Sequence, residues 1–284
     1  MVQVMTERLQ KKVDRAIRLL QSIPTEDGPI EVCYSGGKDS DVILELAKMS
    51  GINYRAIYKD TTIDPIGTHG HCREMGVEMV RPKKTFLQII EERGMPSRFS
   101  RFCCSELKEY PILPRAIVGI RRDESIKRRE RYKEPEMCRV YKNIKGKPKV
   151  RQYLPLLDWT LEDVTEFISE RKIKCAPIYY DRGGQFHPER RLGCIGCPLQ
   201  SQKLRREEFK EYPQLLKLQI ERMQRHYDNG KGGKLKEVLG GNAWNFAYYM
   251  LWCDNIEDYI EKTTGLFPME ETPEQFVKRY FGIK

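Results

Sequence analysis

Two short clusters in this chain carry residue types that do chemistry. The first is Ser35-Gly36-Gly37-Lys38-Asp39-Ser40, which follows Tyr34 and the apolar run Ile30-Glu31-Val32-Cys33. Its glycines let backbone amides approach an anion, and Ser35 and Ser40 add hydroxyl donors. Lys38 supplies charge, and a helix beginning here would add a favourable dipole. The cluster is not the G-x-x-x-x-G-K-[ST] phosphate loop, because Asp39 follows Lys38 and no glycine stands at the required upstream distance. The second cluster is a set of thiols. Among nine cysteines, two close pairs stand out, Cys103-Cys104 and Cys194-Ile-Gly-Cys197. Four soft sulfur ligands suit tetrahedral zinc or an iron–sulfur cluster. Adjacent residues seldom direct both side chains onto one zinc ion, whereas a cubane offers them separate irons.

The other five cysteines are weaker candidates. Cys33 and Cys253 lie among apolar neighbours and are expected in the core. Cys72, Cys138 and Cys175 lie in polar surroundings, and each is a weak candidate nucleophile. His69 and His71 flank a glycine in a segment expected to be a solvated loop.

The flanking pattern says what must position these groups. Residues 4–22 have Val13, Ile17 and Leu20 at helical spacing, and Pro24 to Gly28 is a turn. Strand, glycine turn and helix then follow, with Gly51 closing the helix, and a second strand ends at Asp60-Thr61. Alternating strands and helices predict an α/β fold, a parallel twisted sheet flanked by helices, with a helical C-terminal region. In such sheets ligands sit at the carboxyl ends of the strands, where both the glycine turn and Asp60-Thr61 fall. Residues 121–151 are the most basic stretch, broken by proline and glycine, and are expected to form a mobile excursion. Three segments are expected: an N-terminal helix over 1–27, the site-bearing domain over 28–200, and helices over 201–284.

Lys plus Arg number 51 against 41 Asp plus Glu, a net charge of +10. That excess suits a polyanionic ligand or partner, a nucleotide or a nucleic acid. No apolar run approaches the ~20 residues of a membrane span, and the N-terminus reads as an amphipathic helix, so a cytoplasmic protein without a membrane partner is expected. Many cysteines in such a setting favour metal or thiol chemistry over a disulfide framework.

Ser35 to Ser40 resembles the PP-loop of the adenine nucleotide alpha-hydrolase superfamily. Asp60-Thr61, Gly119-Ile120-Arg121-Arg122 with Glu124-Ser125 and Arg128, and Pro155-Leu156-Leu157-Asp158-Trp159 narrow the resemblance to the phosphoadenosine phosphosulfate (PAPS) reductase family, over roughly residues 28–200. The resemblance implies that Ser35, Gly36, Gly37, Lys38, Asp39, Ser40, Asp60, Thr61, Gly119 and Arg121 hold an adenine nucleotide. It also implies that Cys103, Cys104, Cys194 and Cys197 ligate a [4Fe-4S] cluster. Reductases of this kind use a nucleophilic cysteine in a C-terminal Glu-Cys-Gly-Leu-His segment, and no cysteine follows Cys253 here. The expectation therefore moves to an ATP pyrophosphatase of nucleic-acid sulfur incorporation, most like those of DNA phosphorothioation. Its expected partners are DNA or tRNA and a cysteine desulfurase as sulfur donor. Lys38, Asp39, Arg121 and Arg122 would act on ATP, with Mg²⁺ on Asp39 or Asp60. A sulfonucleotide reductase releasing sulfite and a non-catalytic nucleotide-binding scaffold are the alternatives.

Overall fold

A computed structural model describes residues 5–24, 26, 28–142, 144–266 and 268–284. Residues 1–4 of the expected N-terminal helix, and residues 25 and 27 of the expected turn, lie outside these. The chain divides into two units. One comprises Met1–Asp60, Asp64–Pro82 and Ser105–Gly193, and the other Thr61–Ile63, Lys83–Cys104 and Cys194–Lys284. This division differs from the expected segments 1–27, 28–200 and 201–284.

The first unit is built on a six-stranded sheet. Its strands are β1 (Ile30–Tyr34), β2 (Tyr54–Lys59), β3 (Glu78–Val80), β4 (Arg115–Ile117), β5 (Glu136–Val140) and β6 (Lys149–Tyr153). Their spatial order is β3-β2-β1-β4-β6-β5, and every neighbouring pair is parallel except β5 with β6. The expected parallel α/β architecture is therefore present. Helices α1 (Glu7–Gln21), α2 (Lys38–Ser50) and α3 (Thr68–Glu74) precede α4 (Phe86–Arg93) and α5 (Phe102–Leu107) in the chain. Next come α6 (Ile126–Arg131) and α7 (Leu161–Glu170).

Helix α1 is not a separate segment, because its stripe of Leu9, Val13, Ala16 and Leu20 is fully buried in the same core as Val42, Ile43 and Leu46 of α2. Both α1 and α7 pack on α2, and α2 packs on β1, so the helix that opens the glycine loop is held on several sides. The basic stretch is also more ordered than its composition suggests. β5 and β6 form an antiparallel hairpin from Glu136↔Tyr153 to Val140↔Lys149. β5 alternates exposed and half-buried residues along a sheet edge, and its charges mask the strand period in the sequence.

One buried acid ties α1 to α7. Asp163 closes a capping box with Thr160 and pairs with Lys12 at 2.6 Å and Arg8 at 3.0 Å. Burial alone would raise its carboxyl pKa, but the hydrogen bonds from Lys12 and Thr160 outweigh burial and hold it below the usual range. A depressed pKa stabilises the fold at neutral pH, and this contribution is lost as pH falls through the folded pKa. Asp163→Ala is expected to cost about 1–2 kcal/mol at pH 7, the usual worth of a cap plus a part-exposed ion pair. Urea midpoints measured against pH should converge for variant and wild type below about pH 4.

The second unit is helical. Helices α8 (Gln202–Glu211), α9 (Pro213–Asp228), α10 (Gly233–Val238), α11 (Ala243–Trp252), α12 (Ile256–Thr264) and α13 (Pro273–Phe281) complete the chain. α4 joins this unit by packing on α9, where Arg222 pairs with Glu91 at 2.8 Å and His226 bonds the Glu91 carbonyl at 3.1 Å. The unit has its own aromatic core: Trp252 lies edge-on to Phe276 at 5.0 Å and to Tyr280 at 5.1 Å. Among the described residues no helix is long and apolar enough to cross a membrane.

Candidate nucleotide site and thiol centre

β1 is central in the sheet, and its carboxyl end runs directly into the glycine loop. Gly36 adopts φ +76°, and a β-carbon there would meet the Thr68 methyl at 3.0 Å, so this position requires glycine. Gly37 then caps α2 in extended geometry, and its carbonyl accepts from the Ser40 amide at 2.8 Å and the Ser40 hydroxyl at 2.6 Å. The Ser35 hydroxyl reaches Ser40 Oγ at 3.3 Å, and the Lys38 amide donates to the Tyr179 hydroxyl at 3.2 Å. Gly119, which leads out of β4, lies so close that a β-carbon would stand 3.1 Å from the Asp39 carbonyl.

The charged groups interlock at this loop. Asp39 accepts from Lys38 Nζ at 3.1 Å and from Arg121 Nε at 2.6 Å, and Arg121 also reaches Asp123 at 3.2 Å. Lys38 and Arg121 are both buried. Arg128 stands nearby and pairs with Glu124. Burial lowers the Arg128 pKa, and the cations Arg191 and Arg121 beside it add to the depression, against Tyr132 and Asp39. Three arginines thus converge on the loop.

The loop forms one wall of a cavity of about 420 Å³. Ser35, Gly37, Lys38, Asp39, Ser40 and Gly119 line it, joined by Lys59, Lys108, Arg128, Arg139 and Arg191. Tyr34, Tyr58, Tyr141 and Tyr179 supply flat apolar surface. Lys59 is anchored by Glu31 at 2.7 Å and Arg139 by Glu109 at 2.7 Å. Cation excess beside aromatic faces is the chemistry that takes a nucleotide polyphosphate.

Beneath the loop, Tyr34, Asp41 and His71 form a buried network. The Tyr34 hydroxyl bonds Asp41 and lies 2.8 Å from His71 Nε2, which is itself 2.8 Å from Asp41 Oδ1. Burial raises the Asp41 carboxyl pKa, opposed by hydrogen bonds from His71 and Tyr34. His71 is therefore buried on α3, not in a solvated loop, because Asp41 and Tyr34 give its ring partners inside the core. His69 is half-exposed and lies 3.2 Å from Asp60. With Asp64, these two bring three ligand atoms within 4.8 Å of one another. Tyr58 fixes Asp64 through a 2.5 Å hydrogen bond.

Five expected site residues are not among those that line the cavity: Gly36, Asp60, Thr61, Arg121 and Arg122. Arg122 bonds the Tyr132 and Lys133 carbonyls and Asp158, and lines a separate groove with Lys12, Arg15 and Arg18. Its neighbour Arg121 is buried and pairs with Asp39 of the loop. Thr61, expected on nucleotide, accepts the Cys194 thiol at 3.6 Å within the second unit. Lys59, Arg139, Tyr141, Tyr179 and Arg191 line the cavity without having been singled out by sequence. Only Tyr179 and Arg191 sit beside segments with a motif-like look.

In the second unit Cys103 and Cys104 fall in the first turn of α5, and Cys194 and Cys197 bracket a tight turn. Cys103 is hydrogen-bonded to Cys104, and that bond is the main cause pushing its thiol pKa up. Burial and then the charges of Cys104, Cys194 and Cys197 add to it, so all four thiols are gathered at one place. Among the described residues they do not form a group within 4.8 Å of one another, the spacing met by Asp60, Asp64 and His69. Tetrahedral zinc, with Zn–S bonds of about 2.3 Å, needs sulfurs about 3.8 Å apart, whereas a cubane accepts a wider set. The turn is braced by Glu208, which accepts from the Gly196 amide at 2.7 Å and the Gln200 side chain at 2.6 Å. Arg98 donates to the Pro198 carbonyl at 3.2 Å and the Gln200 carbonyl at 3.1 Å.

Four of the five remaining thiols, Cys33, Cys72, Cys175 and Cys253, are poor nucleophiles. Burial pushes Cys33 and Cys72 up to about 12 and Cys253 up to about 11, and it raises Cys175 as well. Cys138 on β5 is the exposed one.

The arrangement agrees with what comparison with other chains gives. Residues 29–200 match the phosphoadenosine phosphosulfate reductase domain. The chain belongs to that family. Two uncharacterized proteins of Methanocaldococcus jannaschii are similar to this family member. One is 26% identical over 203 residues, covering 66% of this chain and 40% of the relative. The other is 27% identical over 236 residues, covering 77% and 54%. The chain therefore spans about half the length of these curated relatives. Sulfate adenylyltransferase subunit 2 of Shewanella putrefaciens is 26% identical over 221 residues, covering 62% of this chain and 71% of that protein. Among solved structures, FMN adenylyltransferase of Candida glabrata, in complex with FMN and an ATP analogue, matches with a TM-score of 0.43 at 16% identity over 63% of each chain. PAPS reductase from Candida auris, in a phosphate complex, matches with a TM-score of 0.39 at 14% identity over 62% of this chain and 91% of that one.

Proposed function

We propose that this PAPS reductase family member is an ATP pyrophosphatase that adenylylates nucleic acid for sulfur incorporation, in the manner of DNA phosphorothioation. The observation that carries this reading is the convergence of Lys38, Asp39, Arg121, Arg128 and Arg191 on the glycine loop of one cavity. The β- and γ-phosphates of ATP would lie on the loop, where phosphate oxygens replace the Ser35 and Tyr179 hydroxyls as acceptors for the Gly37 and Lys38 amides. A phosphodiester oxygen attacks the α-phosphorus, the α–β bond breaks, and pyrophosphate leaves with the bond's electron pair. Lys38 and the arginines stabilise the charge that develops on the leaving group. A desulfurase persulfide, reduced by a thiol that leaves as the disulfide, gives hydrosulfide, which attacks the phosphorus of the activated phosphodiester; the bond to the bridging oxygen breaks and AMP leaves with its electron pair. Asp39, which lines the cavity, or Asp60, grouped with Asp64 and His69, would hold Mg²⁺.

Cys103, Cys104, Cys194 and Cys197 would hold a [4Fe-4S] cluster. Four thiolates suit either group, and their spread favours the cluster over zinc. When bound, such a cluster supplies redox capacity and a compact negative charge. The reductase reading is less well supported: Cys138, the exposed thiol, is the strand neighbour of the cavity-lining Arg139 and so faces the other side of the sheet.

The test is anaerobic purification, assay of iron and sulfide, and two activity assays. Pyrophosphate release from ATP supports the proposal. Sulfite release from an adenylyl sulfate, abolished by Cys138→Ser, replaces it with the reductase. Zinc in place of iron removes the cluster.

The exposed arginines of α6 offer a separate check on the nucleic-acid partner. Arg129 and Arg131 project from it, and Arg131 stacks 5.4 Å from the Tyr132 ring centroid. The double charge reversal Arg129→Glu, Arg131→Glu is expected to weaken duplex DNA binding and to reduce the slope of log K against log[salt] by roughly two. An unchanged slope would remove α6 from the interface.

A further inference from the structure

We propose that Arg205 is a built-in counter-charge for the four-thiol centre, placed beside Cys197 to balance the negative charge of a bound iron–sulfur cluster. The inference rests on the cluster reading above. Arg205 lies in the second turn of α8 and is only 7% exposed. Its Nη1 donates to the Met250 carbonyl at 3.3 Å, and its buried Nε has no hydrogen-bond partner among the described residues. No carboxylate forms an ion pair with it there. Glu208, the acid one turn further along α8, is already committed to the Gly196 amide and the Gln200 side chain. The other nearby cation, Arg98, is spent on main-chain carbonyls of the same turn and adds positive charge.

A buried guanidinium held by one neutral carbonyl is costly, and a fold keeps such a group where an anion completes it. Glu208 and Phe209, three and four residues further on and so on the same face of α8, both meet Gly196, which sets Arg205 against the Cys194–Cys197 turn. Four thiolates around an iron–sulfur core carry net negative charge, which grows on reduction. A fixed cation beside one ligand therefore stabilises the loaded state, and the reduced form most. Bracing of the turn by Glu208 and Arg98 positions it, whereas Arg205 supplies charge.

Arg205→Met in the full chain tests this, because methionine fills similar space without the charge. After anaerobic purification, iron and acid-labile sulfide are assayed, and the midpoint potential is read by potentiometric titration of visible absorbance. The expected result is a variant that keeps its iron but whose midpoint is shifted to lower potential. Arg205→Lys should return most of the shift. An iron-loaded Arg205→Met variant with the wild-type midpoint overturns the inference and leaves the cluster standing. A wild-type chain without iron overturns the cluster, and this inference with it. Urea unfolding of the chelator-stripped proteins is the second measurement. Without the cluster the cation has no counter-charge, so the metal-free variant should be at least as stable as metal-free wild type. A metal-free variant that is markedly less stable, or does not fold, shows that Arg205 serves packing and overturns the proposal.

Discussion

Lys38→Ala is expected to reduce pyrophosphate release from ATP by about 10²–10³-fold, the usual effect of removing one preorganised charge from a phosphoryl-transfer site. The Lys38 ammonium is buried, lies 3.1 Å from Asp39 and sits 5.5 Å from the Tyr179 ring centroid. Its removal leaves Asp39 still paired with Arg121 at 2.6 Å, so the loop keeps its internal anchor. The thermal midpoint should therefore move little while turnover collapses. Asp39→Ala should behave differently, because it leaves the buried Arg121 with only Asp123 and so costs stability as well as activity. Measuring both midpoint and rate for the two variants separates chemistry from folding. Wild-type turnover in Lys38→Ala would rule out the loop as the catalytic centre.

Gly196→Ala is expected to cost about 2–5 kcal/mol, the sum of a left-handed backbone penalty and overpacking. Gly196 has φ +69°, and a β-carbon there would lie 2.2 Å from Phe209 Cζ. Phe209 is fully buried, so its ring has nowhere to retreat. The strain falls on the two residues between Cys194 and Cys197, and iron retention should fall together with the urea midpoint. A loss of stability below about 1 kcal/mol would mean that the ring yields.

Sequence made the local features plain and the distant ones obscure. Ser35 to Ser40 is a contiguous strand–loop–helix junction, so its chemistry and its place at a strand end were legible together. The two cysteine pairs were legible through spacing alone. Arg191 and Tyr179 were not, because their relation to the loop exists only after the chain has folded back across the sheet. His71 was obscured because the histidine is judged by its neighbours in sequence, whereas its partners Tyr34 and Asp41 lie 37 and 30 residues away. The β5–β6 hairpin was hidden because a charged edge strand lacks the apolar alternation that marks a half-buried one. Arg122 shows the converse limit: a run of two arginines beside a motif does not say which of them faces inward.

The bond between the Lys38 amide and the Tyr179 hydroxyl joins residues 141 positions apart. On the ribosome, the loop emerges long before the tyrosine that braces it, and before β4, which pairs with β1, and β6, which pairs with β4. Non-local parallel pairing of this kind is slow to form, and the central strand waits exposed for its later neighbours. A nascent chain ending before Tyr179 would carry the whole glycine motif and still lack the braced loop. Capacity to hold nucleotide should thus appear late in synthesis, which makes nucleotide retention by stalled chains of increasing length a direct record of when this protein folds.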